Sequence, residues 1–250
     1  STPSNSSAAS DVYKRQIILF AIPLMLGNIC QQLYTMVDTM VVGQIAGVEA
    51  LAALGAVDFL MWVVTGISTG LTQGFSIQLS QYYGAKDFEN LRKSLAHSYR
   101  LTAFIAAGVL ILSQLFASLV LTGLHTPSNI IGMSLLYLRI IFCGIPATAA
   151  YNMFASALRA MGNSKTPLTA MIIASVLNVS LDILFVAGFG WGVAGAAIAT
   201  VIAQSFSAVY CFLILRRIDI VHLTRADFMP ASGMNCLLYT SDAADELDGV

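Results

Sequence analysis

Two carboxylates, Asp38 and Asp182, stand inside long apolar runs of this sequence. An ionised carboxylate at the centre of a bilayer costs about 2.5–3.5 kcal/mol on insertion scales, so an acid placed there needs a partner or a task. Helical spacing supplies neighbours. Gln31 and Tyr34 precede Asp38 by seven and four residues on its own face, and Asn178 precedes Asp182 by four. Facing one another inside a bundle, two such acids would titrate as a pair and could hold a proton or a monovalent cation between them. The plainer alternative is that each acid only hydrogen-bonds a neighbouring helix as interhelical glue. Arg139 is the one basic residue well inside a span rather than at its end; it is expected to turn into the bundle, pairing with a carboxylate or lining a wet cavity. Asp58 reads as interfacial, and His97, His125 and His222 as loop or interface residues. Met25, Met36, Met40 and Met61 are ordinary packing or lipid-facing methionines, with a soft apolar pocket as the alternative.

The elements that must position these residues follow from composition and periodicity. The chain has 250 residues, 57% hydrophobic and only 10% charged, with mean hydropathy +0.78; a soluble chain carries about 25% charge, so this is a membrane protein. Twelve basic residues against 13 acidic ones, in no dense run, exclude a nucleic-acid binder held by phosphate contacts. The four Cys have no metal spacing, and no Gly-x-x-x-x-Gly-Lys-Ser/Thr loop provides for ATP. Six helices are predicted, over residues 17–42, 51–82, 95–121, 129–158, 167–186 and 193–215, with a turn at 43–47. Pro23 interrupts the first and Pro146 lies inside the fourth. Gly66, Gly70 and Gly74, at four-residue spacing, are expected to let helices approach closely. The connections after helices 2, 4 and 6 hold nine Lys and Arg (Lys86, Arg92, Lys93, Arg100, Arg159, Lys165, Arg216, Arg217, Arg225) and the alternate ones none. The positive-inside rule then puts both natural ends in the cytoplasm, with Trp191 at an interface.

The two ends have no apolar periodicity. Asp11-Val-Tyr-Lys-Arg-Gln16 back-translates as GATGTGTATAAGAGACAG, whose reverse complement, read one base out of frame, encodes Cys236-Leu-Leu-Tyr-Thr-Ser241. The pair resembles a transposase-type sequencing-library adapter translated at both edges of an insert. Residues 1–16 and 236–250 are therefore set aside as adapter-derived flanks, leaving a natural segment, 17–235, with 10 basic and 8 acidic residues.

Within that segment Pro23, Leu33-Tyr-Thr-Met-Val-Asp-Thr-Met-Val-Val-Gly43, Ala50-Leu-Ala-Ala53, Tyr83-Gly-Ala-Lys86 and Ala157-Leu-Arg-Ala-Met-Gly-Asn-Ser-Lys-Thr-Pro167 resemble, in order and spacing, the amino-terminal half of the multidrug and toxic compound extrusion (MATE) transporters, in their DinF-like branch. The resemblance implies an all-α membrane protein: six transmembrane helices forming one lobe of a twelve-helix, two-lobe antiporter of the inner membrane, without the carboxy-terminal lobe. It implies secondary active export of organic cations or other drugs in exchange for H⁺ or Na⁺, with no enzymatic activity and no cofactor beyond the coupling ion. Carried over residue by residue, it makes Asp38, Asp182, Asn178, Tyr137 and Thr200 the cation-coupling set and Pro23 the helix bend, with Gln31, Tyr34 and Arg139 as cavity-lining candidates. The partners implied are the bilayer, a small-molecule drug and the missing lobe. A lipid-linked oligosaccharide flippase of the same superfamily is the alternative, although it calls for a more basic cavity than Arg139 alone supplies. An intramembrane aspartyl protease is disfavoured, since Val37 precedes Asp38 and Ser180-Leu181 precede Asp182 where that class has Tyr-Asp and Gly-x-Gly-Asp.

Overall fold

A computed structural model describes residue 22 and residues 25–221, the side chains of residues 68 and 71–73 excepted. The flanks 1–16 and 236–250, the bend residue Pro23, His222 and Arg225 lie outside the described residues. Helix α1 covers 25–41 and runs on as a wider π-helical turn, Val42–Ala46. It is followed by α2 (Val48–Gly84), α3 (Phe88–Gly123), α4 (Ile131–Cys143), α5 (Ile145–Ala160), α6 (Lys165–Asp182) with a second π-helical stretch at Ile183–Gly188, and α7 (Gly192–Arg216). This is an all-α membrane fold. Parts of α2, α3, α6 with its π extension, and α7 are long and apolar enough to cross a bilayer, and α4 with α5 makes a fifth crossing bent by 44°. The helix at 25–41 takes the place of the first predicted span.

Where the boundaries differ from the sequence reading, local chemistry explains it. The turn expected at 43–47 is instead helix as far as Ala46, and the chain breaks only at Gly47, whose φ of 94° suits glycine. Helix α3 starts seven residues earlier than its apolar pattern, because Asp87 caps it: the carboxylate accepts from the Asn90 N–H at 3.2 Å and from Asn90 Nδ2 at 2.7 Å. Those bonds hold the Asp87 carboxyl below its ordinary range. The Lys93–Glu89 pair, 2.6 Å apart, then sits on a solvated first turn. The fourth predicted helix is two. Pro146 has no N–H to give and occupies the first turn of α5, where none is needed, so the break falls at Gly144. At two of the three spaced glycines of α2 no neighbour is seated as expected among the described residues: a Cβ on Gly66 or Gly70 would meet none of their atoms within 4 Å.

Close packing instead runs along α7, where Ala196, Ala197, Ala199, Ala203 and Ala208 are buried and α4, α5 and α6 all lie against the helix. Small side chains let backbones approach where lipid offers no hydrophobic drive between helices. One core cluster gathers Val42, Val57, Leu121, Leu138 and Val186 toward the Gly47 end of the bundle. The other gathers Leu79, Leu91, Leu95, Leu158 and Leu215 toward the Arg216 end. Phe59, Trp62, Phe104 and Leu115 point outward and are largely exposed, as side chains solvated by lipid do. At the α4–α5 break a Cβ on Gly144 would come within 2.7 Å of Val201 Cγ2 and 3.0 Å of the Ile141 oxygen. Gly144→Ala is therefore expected to cost about 1–3 kcal/mol, read as a lower thermal midpoint in detergent; an unchanged midpoint would show that the break tolerates a side chain.

Candidate coupling site and cavity

Asp38 lies near the end of α1 and Asp182 at the end of α6, each immediately or within a turn followed by a π-helical stretch. Both carboxylates are buried, Asp38 at 6% and Asp182 at 0% exposure, and the charge of Asp38 acts on Asp182. The sequence left open whether the two acids converge. They do.

Asn178 is one turn before Asp182 and is 1% exposed. With its amide nitrogen turned toward Asp182 it donates to Oδ2 at 3.2 Å, while its oxygen accepts from the Thr200 N–H at 3.3 Å. The opposite orientation leaves one 3.4 Å contact to Thr200 Oγ1, so the network selects the first. One amide thus ties the acid on α6 to α7. Tyr137 on α4 is buried and within electrostatic reach of Asp38, Tyr34 and Asp182. The Tyr34 hydroxyl lies beside the side chains of Gln204 and Gln31. Asn178, Asp182 and Thr200 thus share one network across α6 and α7, with Asp38 of α1 and Tyr137 of α4 within electrostatic reach of it.

Asp38 Oδ1 and Asp182 Oδ1 are buried with no hydrogen-bond partner among the described residues. A carboxylate oxygen in that position is expensive unless a proton or a cation satisfies it. Among the described residues no group of three or more His, Cys, Asp or Glu side chains could hold a metal ion.

Beside this cluster is a cavity of about 680 Å³, within the range that holds a drug-sized ligand. Gln31, Tyr34, Asn178 and Thr200 are on its wall, so the acids sit just behind a layer of amide and hydroxyl groups. Most of the remaining polar wall is missed by sequence reasoning: Thr65, Thr69, Ser76 and Ser80 from α2, Thr148, Asn152, Ser156 and Arg159 from α5, Gln204 and Ser207 from α7. The signal existed, as polar residues recurring every three or four positions inside apolar helices, but single hydroxyls are also tolerated anywhere in a helix by bonding the preceding turn. Thr65 and Thr69 do bond that way, to the Met61 and Thr65 carbonyls.

Arg139 is a correction. It is exposed on the outer side of α4, in a shallow apolar groove with Leu110, Ile111, Leu115 and Cys143, and is not on the cavity wall. Tyr137, Leu138, Ile141 and Phe142 form the inward face of α4, and Arg139 falls opposite Tyr137 on a 3.6-residue helix. Its long apolar stem allows the guanidinium to reach toward headgroups from a lipid-facing position. Asp58 is exposed, as an interfacial acid would be, and so are Met25, Met36 and Met40, while Met61 lines the cavity.

The sequence profile of the MatE family matches residues 23–184. The chain belongs to the MatE family. It is 33% identical over 205 residues to Probable multidrug resistance protein YoeA of Bacillus subtilis (strain 168), the match covering 80% of this chain and 43% of that protein. DNA damage-inducible protein F of Escherichia coli (strain K12) is 27% identical over 205 residues, covering 79% of this chain and 43% of that one. Among solved structures, one described as MATE in the bent conformation superposes with a TM-score of 0.82 at 27% identity, over 88% of this chain and 49% of its own. The chain thus spans about half the length of its MatE relatives, and its helices reproduce one lobe of the MATE fold.

Proposed function

We propose that this lobe carries the ion-coupling site and part of the drug path of a secondary active multidrug exporter, which exchanges H⁺ or Na⁺ for an organic cation or other drug. The observation that carries the reading is the pair of buried acids with orphaned oxygens beside a polar, drug-sized cavity. Asp38 and Asp182 take up the ion, Asn178, Thr200 and Tyr137 present neutral oxygen donors to it, and Gln31 and Tyr34 form the cavity wall in front. Neutralising the acids removes their mutual repulsion and lets α1 and α6 change packing. The π-helical turns directly beyond them, whose i→i+5 bonds are easily converted to i→i+4 bonds, are where the change is absorbed. A bend at Pro23 would act at the other end of α1. An ion can move the equilibrium between two lobe arrangements only by its differential affinity for them, which is why the acids must sit against helices that move.

In this reading the Arg216 end faces the cytoplasm, because Arg92, Lys93, Lys165, Arg216 and Arg217 gather there, and the membrane is a prokaryotic inner membrane. The activity belongs to the full-length transporter, in which a second lobe would complete the cavity. A lipid-linked diphosphate would need more than one cation to offset its charge, and the described wall offers only Arg159. In everted vesicles containing the full-length transporter, accumulation of a fluorescent organic cation is expected to collapse when the pH or Na⁺ gradient is dissipated. Accumulation that survives loss of both gradients would overturn the exchange mechanism.

A further inference from the structure

The cavity has a charged end that ion coupling does not use. Arg159, in the last turn of α5, is the one charged side chain among the described lining residues. It is half-buried. Its Nη2 donates to Ser156 Oγ at 3.3 Å, and the ionisable groups acting on it are Tyr151 and Cys211, with no described carboxylate among them. A guanidinium has five N–H donors in a planar fork, and Ser156 is its one hydrogen-bond partner among the described residues, while its side chain lines the cavity. A cation at a helix C-terminus is favourable in itself, but that accounts only for its place in the chain. Lys165 and Arg216, basic residues at the same end of the bundle, are exposed instead.

The surroundings suit an anion. Thr148, Asn152, Ser156 and Arg159 recur every three or four residues, so they share one face of α5, and all four line the cavity. Ser207 of α7 is also on the wall. The acids Asp38 and Asp182 lie behind Asn178 and Thr200 instead, and Thr148 and Arg159 are separated by roughly 16 Å along the helix axis at 1.5 Å per residue. The cavity is consequently dipolar along its length, and a simple organic cation gains nothing from its Arg159 end.

We propose that the Arg159 end of the cavity is an anion subsite, taking the singly charged acid group, a carboxylate above all, of a substrate that spans the cavity. The inference rests on the export reading above and narrows its substrate class to amphiphilic acids and zwitterions, held by the Arg159 fork with Ser156 and Asn152 as neutral donors.

A rhodamine bearing a free benzoate and the methyl ester of the same dye differ only in that charge, and their binding to the purified full-length transporter can be followed by fluorescence anisotropy. The wild type is expected to hold the free acid more tightly. Arg159→Gln should weaken the acid on the order of 10- to 100-fold, the scale of hydrogen bonds to a charged group, and leave the ester within about twofold. Arg159→Lys should restore part of the loss. Ser156→Asp leaves Arg159 in place but gives it an internal carboxylate; it should weaken the acid and spare the ester, which separates the role of the charge from any role of the arginine in folding. Equal loss of both dyes in Arg159→Gln with no effect of Ser156→Asp would overturn the subsite, as would unchanged acid binding in both variants. Ester binding with no preference for the acid sinks the subsite alone, whereas failure of the wild type to bind either dye removes the export reading and the subsite together.

Discussion

Asp182→Asn in the full-length transporter is expected to reduce gradient-driven export on the order of 100-fold, the upper part of the span set by coupling energies of about 1–3 kcal/mol. Asparagine keeps the shape of the side chain. Its oxygen can still accept from Asn178, which now bonds Asp182 Oδ2 at 3.2 Å, so the link from α6 to α7 survives. What disappears is the charge that attracts an ion and repels Asp38. Since removing one of two facing buried acids relieves a cost, the variant should insert normally, with a thermal midpoint equal to or above that of the wild type. Asp38→Asn is expected to give the same pattern, and the double variant should be little worse than either single one, as the proposed joint role of the two acids requires. Wild-type transport in both single variants would sink the coupling assignment. A fall in thermal stability together with transport would instead favour the interhelical-glue role.

The sequence makes the acids conspicuous but does not show that they lie within electrostatic reach of one another. Asp38 and Asp182 violate the apolar pattern of their helices, and Asn178 and Tyr34 fall on the same faces by spacing alone, so the members of the proposed site are candidates from residue type and the MATE resemblance. Convergence depends on how α1, α4, α6 and α7 pack, which is set by the small-residue surface of α7 and leaves only a weak trace in hydropathy. Arg139 went the other way, because cost arguments about a charge in lipid do not say which face it takes; its inward neighbours Tyr137 and Leu138 decide that. Arg159 was counted among loop cations that orient the chain, and only the extent of α5 shows it to be the last turn of a cavity-lining helix. Breaks were misplaced for a related reason. Periodicity continues through Pro146 and past Asp182, whereas backbone hydrogen bonding changes register at Gly144 and Ile183.

That second register change gives the other large expected effect. Gly195, in the first turn of α7, faces the π-helical stretch that follows Asp182: a Cβ there would stand 3.0 Å from Phe185 Cβ, 3.1 Å from the Phe185 carbonyl carbon and 3.3 Å from its oxygen. Two of those three atoms are backbone, which cannot swing aside as a long side chain can. Gly195→Ala should therefore either displace α7 or force the Ile183–Gly188 stretch to rewind, at about 1–3 kcal/mol. The stretch begins directly after Asp182, so the strain falls on the acid's own backbone, and export should drop along with the thermal midpoint. Gly188→Ala is the matched control at the far end of the same stretch. Among the described residues its Cβ would meet only Leu184 Cδ1, at an ordinary 3.6 Å, and it should change stability by no more than about 0.5 kcal/mol. Thermal unfolding of the two variants side by side makes the comparison. Equal midpoints would mean that the π-helical stretch yields to an added methyl group without cost, and the close seat of α7 would then have no part in positioning Asp182.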